Sequence, residues 1–191
     1  MKKLKMKSMR NGYSIILLAV LLISTSCGSN EQKKETAAPK MTIHEAAFLG
    51  NANEVKAHIK AKTDLNQKDA YGSAPLNIAA VFGKTEIAKL LIEAGADLNV
   101  RSGDGSTPLH SAAFFCRPEI AKMLLDNGAD ITIRNNYGST ALESISAPFE
   151  TMKPIYDQVS KDMGPFGLKL DYKYIEATRP VIAEMIQNQN K

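Results

Sequence analysis

The chain has 191 residues, 44% of them apolar, 6% aromatic and none tryptophan, a composition that favours one core of closely packed helices over an aromatic-centred sandwich. Its net charge is +4, yet Lys2, Lys3, Lys5, Lys7 and Arg10 all precede residue 27 with no acid among them, and the remainder carries 19 basic against 20 acidic residues, a net −1. A near-neutral body gives no electrostatic case for nucleic acid, which excludes that class of partner.

Residues 1–10 are basic, and residues 13–23 form an apolar run dominated by Ile15, Ile16, Leu17, Leu18, Val20, Leu21, Leu22 and Ile23. A bilayer span takes about 20 apolar residues, so this run is short for one, and its flanks are those of a secretory signal. Ser24-Thr25-Ser26-Cys27-Gly28 follows. This string resembles the lipobox of bacterial lipoproteins, where small residues precede a cysteine that is acylated and becomes the new N-terminus. It departs from the pattern at Ser24, three places before the cysteine, where the family usually has Leu; Ile23 lies one step further out. The resemblance implies a signal peptide over 1–26, a lipid on Cys27, and export to the periplasm or cell surface of a bacterium. A plain signal peptide cut near Ser26, or an uncleaved anchor, is the other reading of the same residues. Residues 28–40 lack apolar periodicity. With Cys27 they form a segment, 27–40, that reads as a lipidated end and a flexible linker. Cys116 is then alone, and no disulfide is expected.

From residue 41 the chain repeats. Met41, Ala74, Thr107 and Thr140 are each 33 residues apart. They open Met41-Thr42-Ile43-His44-Glu45-Ala46, Ala74-Pro75-Leu76-Asn77-Ile78-Ala79, Thr107-Pro108-Leu109-His110-Ser111-Ala112 and Thr140-Ala141-Leu142-Glu143-Ser144-Ile145. Glu86-Ile87-Ala88-Lys89-Leu90-Leu91 aligns with Glu119-Ile120-Ala121-Lys122-Met123-Leu124, and Gly95-Ala96-Asp97-Leu98 with Gly128-Ala129-Asp130-Ile131. Thr107 is placed to cap a helix, Pro108 to occupy its first turn, and Gly128 to end the second helix in left-handed geometry. A period of 33 with this string resembles the ankyrin-repeat family over residues 41–146 and again near the C-terminus. The resemblance implies an all-α solenoid of four repeats, each a helix-turn-helix pair with a β-hairpin-like tip, over 41–73, 74–106, 107–139 and 140–191, stabilised mostly by contacts between repeats.

The pattern breaks in three places. Repeat 1 reads as a polar N-terminal cap, with Lys62 where Gly95 and Gly128 end the later helices and with His58 on a solvated face. Cys116 stands where Gly50 and Gly83 separate the two helices of earlier repeats, and reads as a tolerated small residue rather than a reactive thiol. In repeat 4 the second helix is delayed. Arg179-Pro180-Val181-Ile182-Ala183-Glu184-Met185-Ile186 parallels Arg117-Pro118-Glu119-Ile120-Ala121-Lys122-Met123-Leu124 at an offset of 62, one period plus 29. Residues 148–177 are therefore expected as an insertion: a helix over Phe149–Met163 irregular at Pro154, a turn at Gly164-Pro165-Phe166-Gly167, and an extended stretch over Leu168–Tyr174. A separate C-terminal helical cap is the rival reading.

No catalytic residues, metal ligands or cofactor are expected. His44 and His110 fill the slot from which an ankyrin imidazole bonds the neighbouring turn, no Cys/His spacing suits zinc, and no P-loop or nucleophile elbow is present. Asp97 and Asp130 are placed to bond local backbone rather than to act as acids. The resemblance implies binding to another protein, with no nucleic acid, no small-molecule substrate, and membrane contact through the lipid alone. Positions preceding the inter-helix turn carry large apolar groups, so Leu49, Phe82 and Phe115 are expected to form a stripe that needs a cover. Either a partner docks there, joined by tip residues Tyr71, Asp104 and Tyr137, or these side chains are core or lie under the 148–177 segment. The function expected is a tethered scaffold or inhibitor; an assembly accessory of the envelope, or an immunity or stress-protective protein, are the alternatives.

Overall fold

The computed structural model describes residues 38–190, which lie within the unit Thr36–Lys191. The signal peptide expected over 1–26, Cys27 and most of the linker lie outside the described residues. Among the described residues the regular structure is nine α-helices with two short 3-10 segments and no strand, and the repeat tips are turns. None of these helices is long and apolar enough to cross a membrane.

Three helix pairs follow one another: α1 Ile43–Leu49 with α2 Ala52–Lys60, α3 Pro75–Phe82 with α4 Thr85–Glu93, and α5 Pro108–Phe114 with α6 Pro118–Asp126. Each first helix begins after an extended residue, Thr42, Ala74 or Thr107. The Thr42 hydroxyl accepts the Glu45 N–H at 3.2 Å and Glu45 reaches back to accept the Thr42 N–H at 2.8 Å, a reciprocal cap. Ala74 has no side-chain acceptor, and there Asn77 Oδ1 accepts the Ala74 N–H at 3.2 Å. Pro75 and Pro108 start their helices where an N–H has no partner to lose. The turn between paired helices needs a left-handed residue, Gly50 at φ 75° and Gly83 at φ 63°. Cys116 holds the same conformation at φ 52°, a strain of about 1 kcal/mol for a residue with a Cβ.

The first helices pack side by side as an inner row, α1 on α3 on α5, and the second helices as an outer row, α2 on α4 on α6. Ala46, Ala47, Ala79, Ala80, Ala112 and Ala113 are wholly buried in the inner row. Ile87, Leu91, Ile120 and Leu124 of the outer row are also inaccessible. Helices of seven to nine residues are too short to persist alone, so contact between neighbours holds each in place.

Residues 140–190 depart from this plan for a local reason. The helix α7 Glu143–Ser146 has only four residues. Pro148 drives the preceding Ala147 into extended backbone at ψ 151°, which forbids the left-handed turn. The chain instead enters α8 Phe149–Met163, with Pro154 inside it, and then a 3-10 turn at Gly164–Phe166. Tyr156 of α8 is fully buried. Its ring stacks on Phe114 with centroids 4.7 Å apart, and its hydroxyl donates to the Phe114 carbonyl at 2.9 Å. The extended stretch expected over Leu168–Tyr174 is not formed as such: α9 runs from Tyr172 to Gln187 with Pro180 inside it. Asp171 starts the helix early by accepting the Tyr174 N–H at 3.1 Å. The helix α9 stacks on α6 and also touches α7 and α5. Arg179, 4% exposed, donates to the carbonyls of Ile145 at 2.9 Å and Ala147 at 2.6 Å, satisfying the otherwise unpaired end of α7.

Tyr156 is thus the peg that fixes α8. Tyr156→Phe removes one hydrogen bond and is expected to cost about 1 kcal/mol. Tyr156→Ala also empties a buried site and is expected to cost about 3–5 kcal/mol. Urea unfolding followed by far-UV circular dichroism measures both; equal midpoints for Tyr156→Ala and the parent would refute the peg.

Candidate functional site

The tips are built one residue at a time. In the first, Asp69 Oδ1 accepts the N–H groups of Tyr71 at 2.9 Å and Ser73 at 2.8 Å. In the third, Asn135 Oδ1 accepts those of Tyr137 at 3.1 Å and Ser139 at 3.2 Å. The second uses Asp104, which accepts from the Ser102 hydroxyl at 2.6 Å, the Ser106 N–H at 3.1 Å and the Ser106 hydroxyl at 2.9 Å. Partial burial pushes the Asp104 carboxyl up, and these bonds together outweigh it and hold the group below the usual carboxylate value. Asp104, expected to meet a partner, is therefore committed first to its own turn. The tips are also joined to each other. Asn136 donates its N–H to the Asp104 carbonyl at 2.9 Å and its Nδ2 to the Gly103 carbonyl at 3.3 Å. Gly103 lies so close to the first tip that a Cβ there would sit 2.5 Å from the Tyr71 carbonyl oxygen. From this row project Tyr71, 83% exposed, and Tyr137, 79% exposed.

Behind the tips one slot of the inner helix holds each turn. His44 Nε2 bonds the Gln67 carbonyl at 2.9 Å, Asn77 Nδ2 donates to the carbonyls of Val100 at 3.4 Å and Ser106 at 3.3 Å, and His110 Nε2 bonds the Ser139 carbonyl at 3.0 Å. His110 Nδ1 accepts the Thr107 N–H at 3.2 Å, so the proton sits on Nε2 and the ring is neutral. Burial holds its pKa below the ordinary imidazole value, outweighing the Ser139 carbonyl and the Asp104 carboxylate, which favour the charged form. His58, expected to be solvated, is 7% exposed. The chain entering α1 crosses it, and its ring bonds the Met41 carbonyl at 2.8 Å and the Thr63 hydroxyl at 3.0 Å.

Asp97 and Asp130 bond local backbone, accepting the N–H groups of Asn99 and Thr132 at 2.8 Å each. An asparagine ladder beside them was not anticipated: Asn66 Oδ1 accepts the Asp97 N–H at 2.8 Å and Asn99 Oδ1 the Asp130 N–H at 2.9 Å. The recurrence of Asp64-Leu65-Asn66 as Asp97-Leu98-Asn99 was the signal for it. Cys116 is buried, its thiol 3.6 Å from the Ile175 carbonyl. Burial pushes the thiol up to about 11, although Arg179 and Arg117 favour the thiolate; a thiol so placed is a poor nucleophile.

The apolar stripe is not uniform. Leu49 is 60% exposed, Phe82 is half-buried and edge-on to Phe48 at 4.7 Å, and Phe115 is 9% exposed. Phe115 leaves the expected open surface because it packs edge-on to Phe114, which Tyr156 of α8 covers. Of the covers expected for the stripe, the 148–177 segment is seen at the third repeat, where α8 packs on Phe114, and Leu49 of the first stays exposed. Beside the open part lies a groove of about 410 Å³ between Phe48, Leu49 and Phe82 on one side and Phe166–Lys169 on the other. Among the described residues no three His, Cys, Asp or Glu side chains form a group fit to hold a metal ion.

The neutral His110 links stability to pH. Its folded pKa lies below the unfolded value of about 6.5, so its contribution is full above that pH and is lost as pH falls through it. His110→Asn, which copies the Asn77 slot, is expected to flatten the fall of the thermal midpoint between about pH 7 and 5.5. An unchanged slope in differential scanning calorimetry would contradict the assignment.

The comparisons agree with this architecture. The family model "Ankyrin repeats (3 copies)" matches residues 43–142. A comparison with curated proteins returns no match. With the matched residues covering more than half of the chain, and helix pairs and joined tips recurring through them, the protein belongs to the ankyrin-repeat family.

Proposed function

We propose that this chain is an exported binding module, a scaffold or inhibitor, held at a bacterial membrane by a lipid on Cys27. Ankyrin repeats generally mediate protein–protein interaction and are typically non-catalytic. Its partner surface is the tip row, through Tyr71, Asp104 and Tyr137, continued by Leu49 and Phe82. The observation that carries this reading is the exposure of two large aromatic side chains, 83% at Tyr71 and 79% at Tyr137, on turns fixed by hydrogen bonds within and between repeats. Rigid, exposed tyrosines lose little entropy on docking and are enriched where proteins meet. The buried Phe115 contributes no contact area of its own. The segment 148–177 is read as an interruption of the fourth repeat, which the stacking of α9 on α6 supports.

Two experiments test the two halves. Cells producing the chain are labelled with a fatty-acid analogue: label on the parent and none on Cys27→Ser supports the tether, and equal labelling sinks it. A photo-crosslinking residue is placed at position 71 or 137, or at Lys89 on the outer row as a control. A common adduct from both tips and none from position 89 is expected; adducts independent of position would overturn the tip surface.

A further inference from the structure

The groove beside Leu49 has a chemistry that the tips lack. Its walls are the ends of α1 and α3 on one side, with Leu49 and Phe82, and the turn after α8 on the other, with Phe166 61% exposed. Its charged lining is entirely cationic, Lys84, Arg117 and Lys169, with no carboxylate among the lining residues. Neither Lys84 nor Lys169 is in a salt bridge among the described residues. The Lys84 stem lies over the first inter-helix turn, its Cδ 3.3 Å from where a Gly50 Cβ would be. Arg117 lies flat on the second turn, its Nη2 donating to the Val81 carbonyl at 3.3 Å. The Arg117 charge is therefore held to the backbone of the repeats and the Lys84 stem lies beside it, on a body whose overall charge without the leader is close to zero.

We propose that this groove takes an extended, acidic segment of the partner protein, with an apolar side chain between Leu49, Phe82 and Phe166 and flanking carboxylates against Lys84, Lys169 and Arg117. The proposal rests on the protein-binding reading and adds the chemistry of the bound segment. Unpaired cations around an exposed apolar floor favour an occupant that brings both carboxylates and hydrocarbon, since charge complementarity selects the partner while burial of the apolar side chain holds it. A turn contributed by the segment after α8 makes one wall, so the site exists only because the fourth repeat is interrupted.

The test uses the full chain and a fluorescein-labelled heptapeptide alternating glutamate with leucine and phenylalanine, read by anisotropy. Two control peptides replace either every glutamate by lysine or every apolar residue by glycine. Saturable binding of the first peptide alone is expected, weakened about tenfold or more by the double variant Lys84→Glu, Lys169→Glu and by Leu49→Ser. All three substitutions are at the surface and leave the core intact. Equal binding of either control peptide, no binding of the first, or indifference to the charge reversal would each overturn the proposal. Crosslinks from positions 71 and 137 that survive in the charge-reversed variant while the peptide fails to bind the parent sink the groove alone. Peptide binding without tip crosslinks sinks the tip surface alone.

Discussion

The burial of alanine pairs between the packed inner helices sets the geometry of everything else. Ala46 and Ala47, Ala79 and Ala80, and Ala112 and Ala113 recur at one place in three successive repeats, all without solvent access. With only a methyl group between backbones, α1, α3 and α5 approach closely and in one orientation. A larger residue at any of these positions would force two repeats apart and propagate, because a packed interior has no slack to absorb it. The fixed separation brings the His44, Asn77 and His110 slot within reach of the following turn each time. It also brings the Gly103 backbone against the Tyr71 carbonyl. The row of tips is a consequence of the methyl contacts behind it.

Much of this was legible in the sequence because it is local. The cap at Thr107, the left-handed turns, and the Asp97 and Asp130 bonds each depend on a few neighbouring residues, and the 33-residue period exposes them by repetition. What was not legible depends on tertiary placement. His58 looks exposed on a polar helix until residues 41–42 are laid across it. Phe115 is equivalent to Leu49 by period, yet it is buried and packed edge-on to Phe114, itself covered by Tyr156 of α8, while Leu49 is open. The early start of α9 depends on the Asp171 cap, which lies inside the Leu168–Tyr174 stretch whose pattern points to extended backbone, and α9 packs on α6 and α7. Arg179-Pro180 parallels Arg117-Pro118 in sequence, yet Arg117 is the N-cap residue of α6 while Arg179 lies inside α9, and the two arginines bond different carbonyls, Val81 for one and Ile145 and Ala147 for the other.

The candidate surface has two parts with different physical characters. At the tips, exposed phenol rings are carried on turns already saturated with hydrogen bonds, which suits recognition of a preformed partner surface. At the groove, hydrocarbon walls and a cationic lining, with no salt bridge at Lys84 or Lys169 among the described residues, suit capture of a chain segment. A partner that engages both would be gripped by shape at one end and by charge at the other, so affinity and ionic-strength dependence would be set by separate residues.

The buried Arg179 and Tyr156 also impose an order on synthesis. In the earlier repeats Asn77 reaches Ser106 across 29 residues and Arg117 reaches back 36 to Val81; Arg179 likewise reaches back 34 to Ile145, and Tyr156 reaches back 42 to Phe114. As the chain elongates, the first two helix pairs have their helix partners before α8 and α9 exist, while α5 and α6 still lack α9 and the aromatic face at Phe114 stays wet until α8 has emerged. A chain ending before Arg179 would keep its recognition turns while presenting that greasy end to any neighbour, so a prematurely terminated product would aggregate through its C-terminal side while its N-terminal repeats remained folded.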